Sequence, residues 1–397
     1  MNAKLYDVVV IGGGPAGATA ADDLSRKGWQ VLLIDRHGRI KPCGGAIPPR
    51  LIQDFDIPDH LLVAKIRCAR MVAPSNKRVD IPIDNGFVGM VDRDVFDEWL
   101  RERAASHGAE RMSARFDHLS HDAQGTLQVH VFTTDDQERE HAQVVQARMV
   151  IGADGAKSQV ARQAIEDAHK TRYVFAYHEI LEAPQSLAGY DPERCDVYYQ
   201  GHLSPDFYGW VFPHGHTMSV GTGSADKGFS LRGGVAQLRQ EAGLAGQAVL
   251  RREGAPIPLK PLPRWDNGRD VVLVGDAAGV VAPSSGEGIY YAMASARLVA
   301  DAVHASLRAH NPALLAQGRK RFMREHGRVF WVLGIMQYFW YRNDRRRERF
   351  VSMCEDRDVQ QLTFDAYMNK RLVRKKPMAH VKIFFKDLAH LLGWARV

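Results

Sequence analysis

Cysteine is scarce in this chain. There are four in 397 residues, Cys43, Cys68, Cys195 and Cys354, widely separated and without a CxxC. That excludes a disulfide framework and a cysteine-ligated zinc, and it fits a reducing, cytoplasmic compartment. The 17 histidines are scattered without metal-ligand spacing and no HExxH occurs, so no metal is expected. Long apolar runs are also missing: none reaches the roughly 18–20 residues that cross a bilayer. The nearest, "FWVLGIMQYFWY" at 330–341, is 12 residues long, too short to cross and greasier than a surface helix requires. The N-terminus, "MNAKLYDVVVIGGG", lacks the basic start and small-residue cleavage site of a secretory signal. Internal repeats and low-complexity linkers are absent as well.

What is present is enough apolar material for a large core, 45% of residues, over a length that suits two or three domains. The net charge is +7 but it is unevenly spread. Residues 311–397 hold 19 Lys and Arg against 8 Asp and Glu, a net +11, which leaves the first 310 residues at −4. A basic C-terminal quarter of this kind suits an anionic lipid surface or a phosphorylated ligand.

The chain opens with "LYDVVVI" at 5–11, an apolar β-branched run typical of a buried strand. A glycine turn at 12–17, a helix ending at Gly28 and a second buried strand, "WQVLLID", follow. A parallel sheet therefore begins at the N-terminus. Residues 94–107 carry apolar positions 95, 96, 99, 100 and 104, a helical stripe. "LQVHVFT" and "ARMVIGAD" read as strands. From about 173 to 262, aromatics, prolines and glycines interrupt strand-like pieces, as in an antiparallel sheet. "DVVLVGDAAG" returns to a buried strand and turn, and a long helix follows at 288–309. The expected organisation is a discontinuous dinucleotide-binding domain at 1–75, 93–172 and 263–310. An antiparallel-sheet substrate domain at 76–92 and 173–262 is inserted into it, and a basic helical region occupies 311–397. Within that region, 378–394 has apolar residues at 378, 381, 384, 385, 388, 391 and 392 with Lys382, Lys386 and His390 between them, an amphipathic helix.

Three motifs carry the chemistry. The first is Gly12-x-Gly14-x-x-Gly17, which includes Ala16. Its glycines permit a tight turn and close approach of a pyrophosphate, and the next helix offers free N–H groups and a positive dipole end. Asp35, 18 residues past Gly17 and followed by Arg36, suits a ribose hydroxyl and disfavours a 2′-phosphate. FAD or NAD is thus expected at this turn. The second motif is "GADGAKSQVAR", where Asp154 sits at a strand end and is either a ligand contact or a helix cap. The third is "GDAAGVVAPSSGEGI". Here Gly275 and Asp276 form a turn, and Pro283, Gly286, Gly288 and Ile289 lead into the long helix. Asp276 suits a ribityl hydroxyl and the helix start suits electron-rich atoms.

This order of motifs resembles the flavoprotein hydroxylase superfamily over roughly residues 5–310. The resemblance implies FAD rather than NAD, and an α/β fold with a Rossmann-type FAD-binding domain, an inserted antiparallel sheet and a C-terminal helical region. It also implies that Arg93, in "VDRDVFDEWL", lies along the cofactor. Three stretches narrow the match. The loop "KPCGGAIPPRLI", the strand "FYGWVFP" and the tail "KPMAHVKIFFKDLAHLLG" are similar to the geranylgeranyl reductase family of bacteriochlorophyll and chlorophyll synthesis, over essentially the whole chain. That implies stepwise saturation of a geranylgeranyl group to phytyl, with NADPH as reductant. The substrate would be geranylgeranyl-bacteriochlorophyll(ide) or geranylgeranyl diphosphate. A flavin monooxygenase on the same scaffold, or a non-catalytic flavoprotein on a membrane surface, are the alternatives.

An isolated alkene is a poor hydride acceptor, so a reduced flavin must be accompanied by positioning groups and a proton source. Cys43, between Pro42 and the pair Gly44–Gly45, is expected beside the flavin as proton donor or packing gate, with a small buried filler as the alternative; a thiol protonated at neutral pH suits the acid role. Tyr208, Trp210 and Phe212 alternate onto one strand face, an aromatic wall for a polyprene, with Tyr208 adding a hydroxyl and Pro213 ending the strand. Tyr198, Tyr199 and His178 are weaker candidates. Nucleic acid is not expected as a partner. The expected location is cytoplasmic, peripheral on the photosynthetic inner membrane.

Overall fold

A computed structural model describes residues 4–36, 41–84, 86–360 and 370. The expected amphipathic helix at 378–394 and the tail that resembles the reductase family lie outside these residues. The chain forms two compact units. One comprises Met1–Lys41, Arg93–Tyr173 and Pro256–Phe330, and the other Pro42–Asp92, Val174–Ala255 and Trp331–Val397. The division falls at residue 41 rather than 75, so residues 42–75 pack with the second unit, as do the described residues from 331 onward. The sequence offers no signal for this, because strand Cys68–Val72 is joined to the larger part of its sheet through Arg194–Tyr198, more than 100 residues away.

The first unit is built on a seven-stranded sheet. Strands Glu110–Ser113, Val31–Asp35, Leu5–Ile11 and Glu140–Gly152 run parallel in that order, and Val271–Leu273 adds to the last of them in parallel. Leu127–Thr134 and Arg115–His121 extend the sheet antiparallel. Val8, Val9 and Val10 are fully buried, as continuous apolar strands in a covered parallel sheet should be. The helices Pro15–Ser25, Arg93–Ser106 and Ile289–Ala309 belong to this unit. Helix Arg93–Ser106 buries Phe96, Leu100 and Ala104, whereas Val95 of the expected stripe is exposed.

The second unit holds a seven-stranded sheet in the order Val249–Pro258, Tyr173–Glu182, Thr217–Ser224, Gly209–His214, Arg194–Tyr198, Cys68–Val72 and Arg78–Pro82. It is antiparallel except for one pair, Cys68–Val72 beside Arg194–Tyr198. A small sheet of Ala46–Ile47, Val88–Met90 and Ala64–Ile66 follows the cysteine loop. Pro213 does not end its strand: it pairs with Met218, and His214 with Thr217. A proline needs only that its missing donor not be required, and here the strand runs one residue further.

Candidate functional site

In the first unit the glycine turn is shaped by backbone crowding. Gly12 has φ +106°, and a Cβ there would overlap the Ala153 carbonyl oxygen and press on the Asp154 backbone. A Cβ on Gly17 would overlap the Gly12 carbonyl oxygen. Gly14 is different. It precedes helix Pro15–Ser25 with no side-chain cap, and a Cβ there would meet nothing closer than Arg93 Nη2 at 3.9 Å and Asp97 Oδ2 at 4.0 Å. The uncapped helix start therefore stands beside a guanidinium, the arrangement that receives a phosphate.

Arg93 is held there by Asp97, one helical turn on. The guanidinium donates through Nε and Nη2 at 2.7 and 2.6 Å, and both side chains are buried. At the end of strand Val31–Asp35, Arg101 donates to the Asp35 carboxylate and to the Gly13 carbonyl, each at 3.2 Å. Burial raises the Asp35 carboxyl above its ordinary range, against the opposing pull of the Arg36 backbone N–H and Arg101. The Arg36 side chain is exposed.

The third motif converges on the same place. Gly275, at φ +61°, donates its N–H to Ser295 Oγ at 3.0 Å, and a Cβ there would come within 2.8 Å of the Ala16 methyl. Beyond Pro283, Gly286 turns at φ +66°. A Cβ on Gly288 would lie 3.6 Å from Asp276 Oδ1, just before helix Ile289–Ala309 begins with no side-chain cap. The Asp276 carboxylate accepts from Lys41 Nζ at 2.5 Å. The Asp154 carboxylate is committed elsewhere. It caps the helix Gln159–Ala164, accepting from the N–H groups of Gln159 (2.7 Å) and Val160 (3.2 Å) and from Ser158 Oγ (2.5 Å). Burial raises its carboxyl, and these donors oppose that. Two uncapped helix starts, a buried arginine, and two carboxylates at Asp35 and Asp276 fit a dinucleotide with a polyhydroxyl chain, as FAD has.

In the second unit the cysteine loop is seated on the aromatic strand. The Gly45 N–H donates to Cys43 Sγ at 3.4 Å, and its carbonyl accepts from Val91 N–H at 2.9 Å. A Cβ on Gly44 would come within 3.3 Å of the Phe212 ring, and one on Gly45 within 2.5 Å of His214 Nε2. Both glycines are thus demanded by close contact with strand Gly209–His214. Along that strand the expected row of rings is present. Tyr208 and Trp210 meet edge to face at 6.0 Å, and Trp210 and Phe212 lie 6.2 Å apart. Phe207 stacks on Tyr208 at 4.2 Å.

Trp210 is fixed from behind by a buried polar chain. Its indole N–H donates to Ser219 Oγ at 3.0 Å. His178 Nδ1 lies 2.8 Å from the same hydroxyl, and His178 Nε2 lies 3.1 Å from Glu253. One assignment satisfies every group: Ser219 accepts from Trp210 and donates to His178, which donates to Glu253. Burial works to raise the Glu253 carboxyl, but His178 and Arg251 together outweigh it and hold the carboxyl below its usual range. The array has the composition of a serine nucleophile, base and acid. Ser219, however, is fully buried beneath the indole, so its role is to orient the ring. Tyr198 and Tyr199 are also buried, and burial raises both phenols, that of Tyr198 to about 12.

Sequence reasoning missed Asp97, Arg101, Lys41 and His214, and it weighed His178 as a weaker acid or contact candidate rather than as a support for Trp210. Asp97 was legible as the i+4 partner of Arg93. The others are brought in by tertiary contacts that leave no spacing signal.

A family model described as lycopene cyclase protein matches residues 7–195 and 230–380. The geranylgeranyl diphosphate reductase of Rhodobacter capsulatus is 58% identical over 98% of this chain and 98% of its own length. Among solved structures, a geranylgeranyl bacteriochlorophyll reductase-like protein from Thermoplasma acidophilum superposes with a TM-score of 0.81 at 22% identity, over 95% of this chain and 99% of that one. A flavin-dependent brominase superposes with a TM-score of 0.66 at 16% identity, over 93% of this chain and all of that one. Both show that the fold is of the flavoprotein type that the motif order implied. The chain belongs to the family that the matching model describes and, within it, to the geranylgeranyl diphosphate reductases.

Proposed function

We propose that the chain is a flavin-dependent reductase that saturates the double bonds of a geranylgeranyl group to give phytyl, with NADPH as reductant. The glycine turn, Asp35, Arg93 and the Asp276 turn of the first unit would hold FAD, which when bound and reduced supplies the hydride. The second unit holds the prenyl chain. Tyr208, Trp210 and Phe212 give it a flat apolar wall, and burial of such a chain contributes about 0.8 kcal/mol per CH2. Cys43 carries the proton for the other alkene carbon on its sulfur. The observation that supports this reading is the seating of Gly44 on Phe212 and of Gly45 on His214, with the Gly45 N–H on Cys43 Sγ.

Anaerobic incubation with FAD, NADPH and either geranylgeranyl diphosphate or geranylgeranyl-bacteriochlorophyllide tests the reading, with product mass as the readout. Successive gains of two hydrogens are expected, and the preferred acceptor identifies the substrate. An unchanged mass with both, and an oxygenated product in air, would overturn it in favour of a monooxygenase.

Peripheral attachment to an anionic membrane is part of the same proposal. No helix among the described residues is long and apolar enough to cross a bilayer. Helix Ala316–Trp340 nevertheless exposes Trp331, Ile335 and Tyr338, at 69%, 48% and 73%, on one face by their spacing. Exposed Arg342 and Arg345 follow. Aromatic side chains flanked by arginines suit the headgroup layer of an anionic bilayer. The chain's own last 27 residues carry seven Lys and Arg against one Asp, so their charge does not complement this face. Replacing Trp331, Ile335 and Tyr338 with serine should abolish co-flotation with phosphatidylglycerol vesicles. Undiminished flotation would refute the assignment.

A further inference from the structure

His214 is absent from every motif, yet it is the side chain on which the cysteine loop rests. It is the last residue of strand Gly209–His214 and is 8% exposed. Its Nδ1 lies 3.1 Å from the Phe212 carbonyl oxygen of its own strand. Its Nε2 faces the loop, where any side chain on Gly45 would collide with it and with the Val91 carbonyl. One ring nitrogen thus faces a carbonyl of its own strand, and the other fills the space beneath Gly45. The titratable groups facing it are Asp92 and His178. Gly45 is the pivot: it holds Cys43 Sγ with its N–H, is tied to Val91 through its carbonyl, and stands at φ +70° against the imidazole.

We infer that His214 is a positioning residue for the thiol: by filling the space under Gly45, it sets where Cys43 Sγ stands. The inference rests on Cys43 as the proton source for its consequence in catalysis, but not for its geometry. A positioned thiol is also a screened one, so losing the imidazole should both mislocate the sulfur and free it to solvent.

The test uses the flavin-loaded full-length protein with His214→Ala, His214→Gln and, for background alkylation at the other cysteines, Cys43→Ser. Iodoacetamide labelling of Cys43, followed by peptide mass, should speed up about tenfold in His214→Ala. kcat with geranylgeranyl diphosphate should fall by about tenfold with KM unchanged. His214→Gln refills most of the space under Gly45 and should recover most of both, which a loss unrelated to this contact would not do. Labelling at the parental rate in His214→Ala and in His214→Gln overturns the inference, as does equal loss in both variants. The labelling arm needs no turnover. If Cys43→Ser reduces substrate at the parental rate while His214→Ala still accelerates labelling, the proton-donor role fails and the positioning role stands. Should His214→Ala not fold, His214→Gln against His214→Asn, whose amide is one methylene shorter, makes the same comparison, with faster labelling expected for Asn.

Discussion

The glycine turn of the first unit and the cysteine loop of the second are both glycine-rich bends, and they are built on different terms. In the turn, the glycines are required by neighbours that are near in the motif or supplied by the next motif. Gly17 presses on the Gly12 carbonyl, and Gly12 on Ala153. In the loop, Gly44 and Gly45 are required by Phe212 and His214, about 170 residues away. The first bend is a self-contained anion cradle that the backbone dictates. The second is a surface fitted to a strand, and its meaning depends on what that strand carries. A cofactor site of the first kind is portable between enzymes; a site of the second kind belongs to one chemistry.

The sharpest way to break the comparison is at Gly17. A valine there would overlap the Gly12 carbonyl oxygen, so Gly17→Val should lower flavin retention at least a hundredfold, read as the flavin-to-protein ratio after gel filtration. Normal retention would mean that the turn is not the cradle. Cys43→Ala should leave that ratio unchanged while lowering kcat by about a hundredfold, at the lower end of what a general acid contributes. A joint loss of flavin and turnover would show that the two bends are not separable in function.

A smaller effect is expected behind the aromatic wall. Ser219→Ala leaves the Trp210 indole N–H and His178 Nδ1 without their shared partner, which should cost roughly 2 kcal/mol in urea unfolding. A free-energy change near zero would mean that the ring is held by packing alone. The smallest effect concerns pH. Burial holds the His214 imidazole below its ordinary range, with the Phe212 backbone opposing. The unfolded chain then binds a proton at this group at pH values where the folded one does not, so the folded state gains as pH rises toward and through the unfolded value of about 6.5, and loses as pH falls below it. The unfolding midpoint of the parent should therefore decline more steeply than that of His214→Gln between pH 7 and 5.5. Parallel curves would show that His214 does not titrate differently in the two states.

These two regions also explain how much was legible. The strand–turn–helix–strand beginning at Leu5 was readable because its pattern is local: a buried apolar run, three spaced glycines and an acid at a strand end. The aromatic row was readable from alternation. His214 was not, since a histidine after a proline gives no hint of what approaches it. The Ser219–His178–Glu253 support is spread over 75 residues and three strands, so no motif could contain it. Asp154 shows the converse. A motif pointed to the cofactor, whereas the carboxylate itself is spent on a helix cap.

The central claim is that holding the flavin and delivering the proton are separate tasks of separate bends. It is tested most directly in flavin-loaded Cys43→Ala protein, reduced anaerobically with one equivalent of NADPH and then mixed with geranylgeranyl diphosphate while flavin absorbance is followed. The account predicts that the flavin is reduced at the parental rate and then stays reduced, at least a hundredfold longer than in the parent. Reoxidation by the prenyl substrate at the parental rate would contradict it.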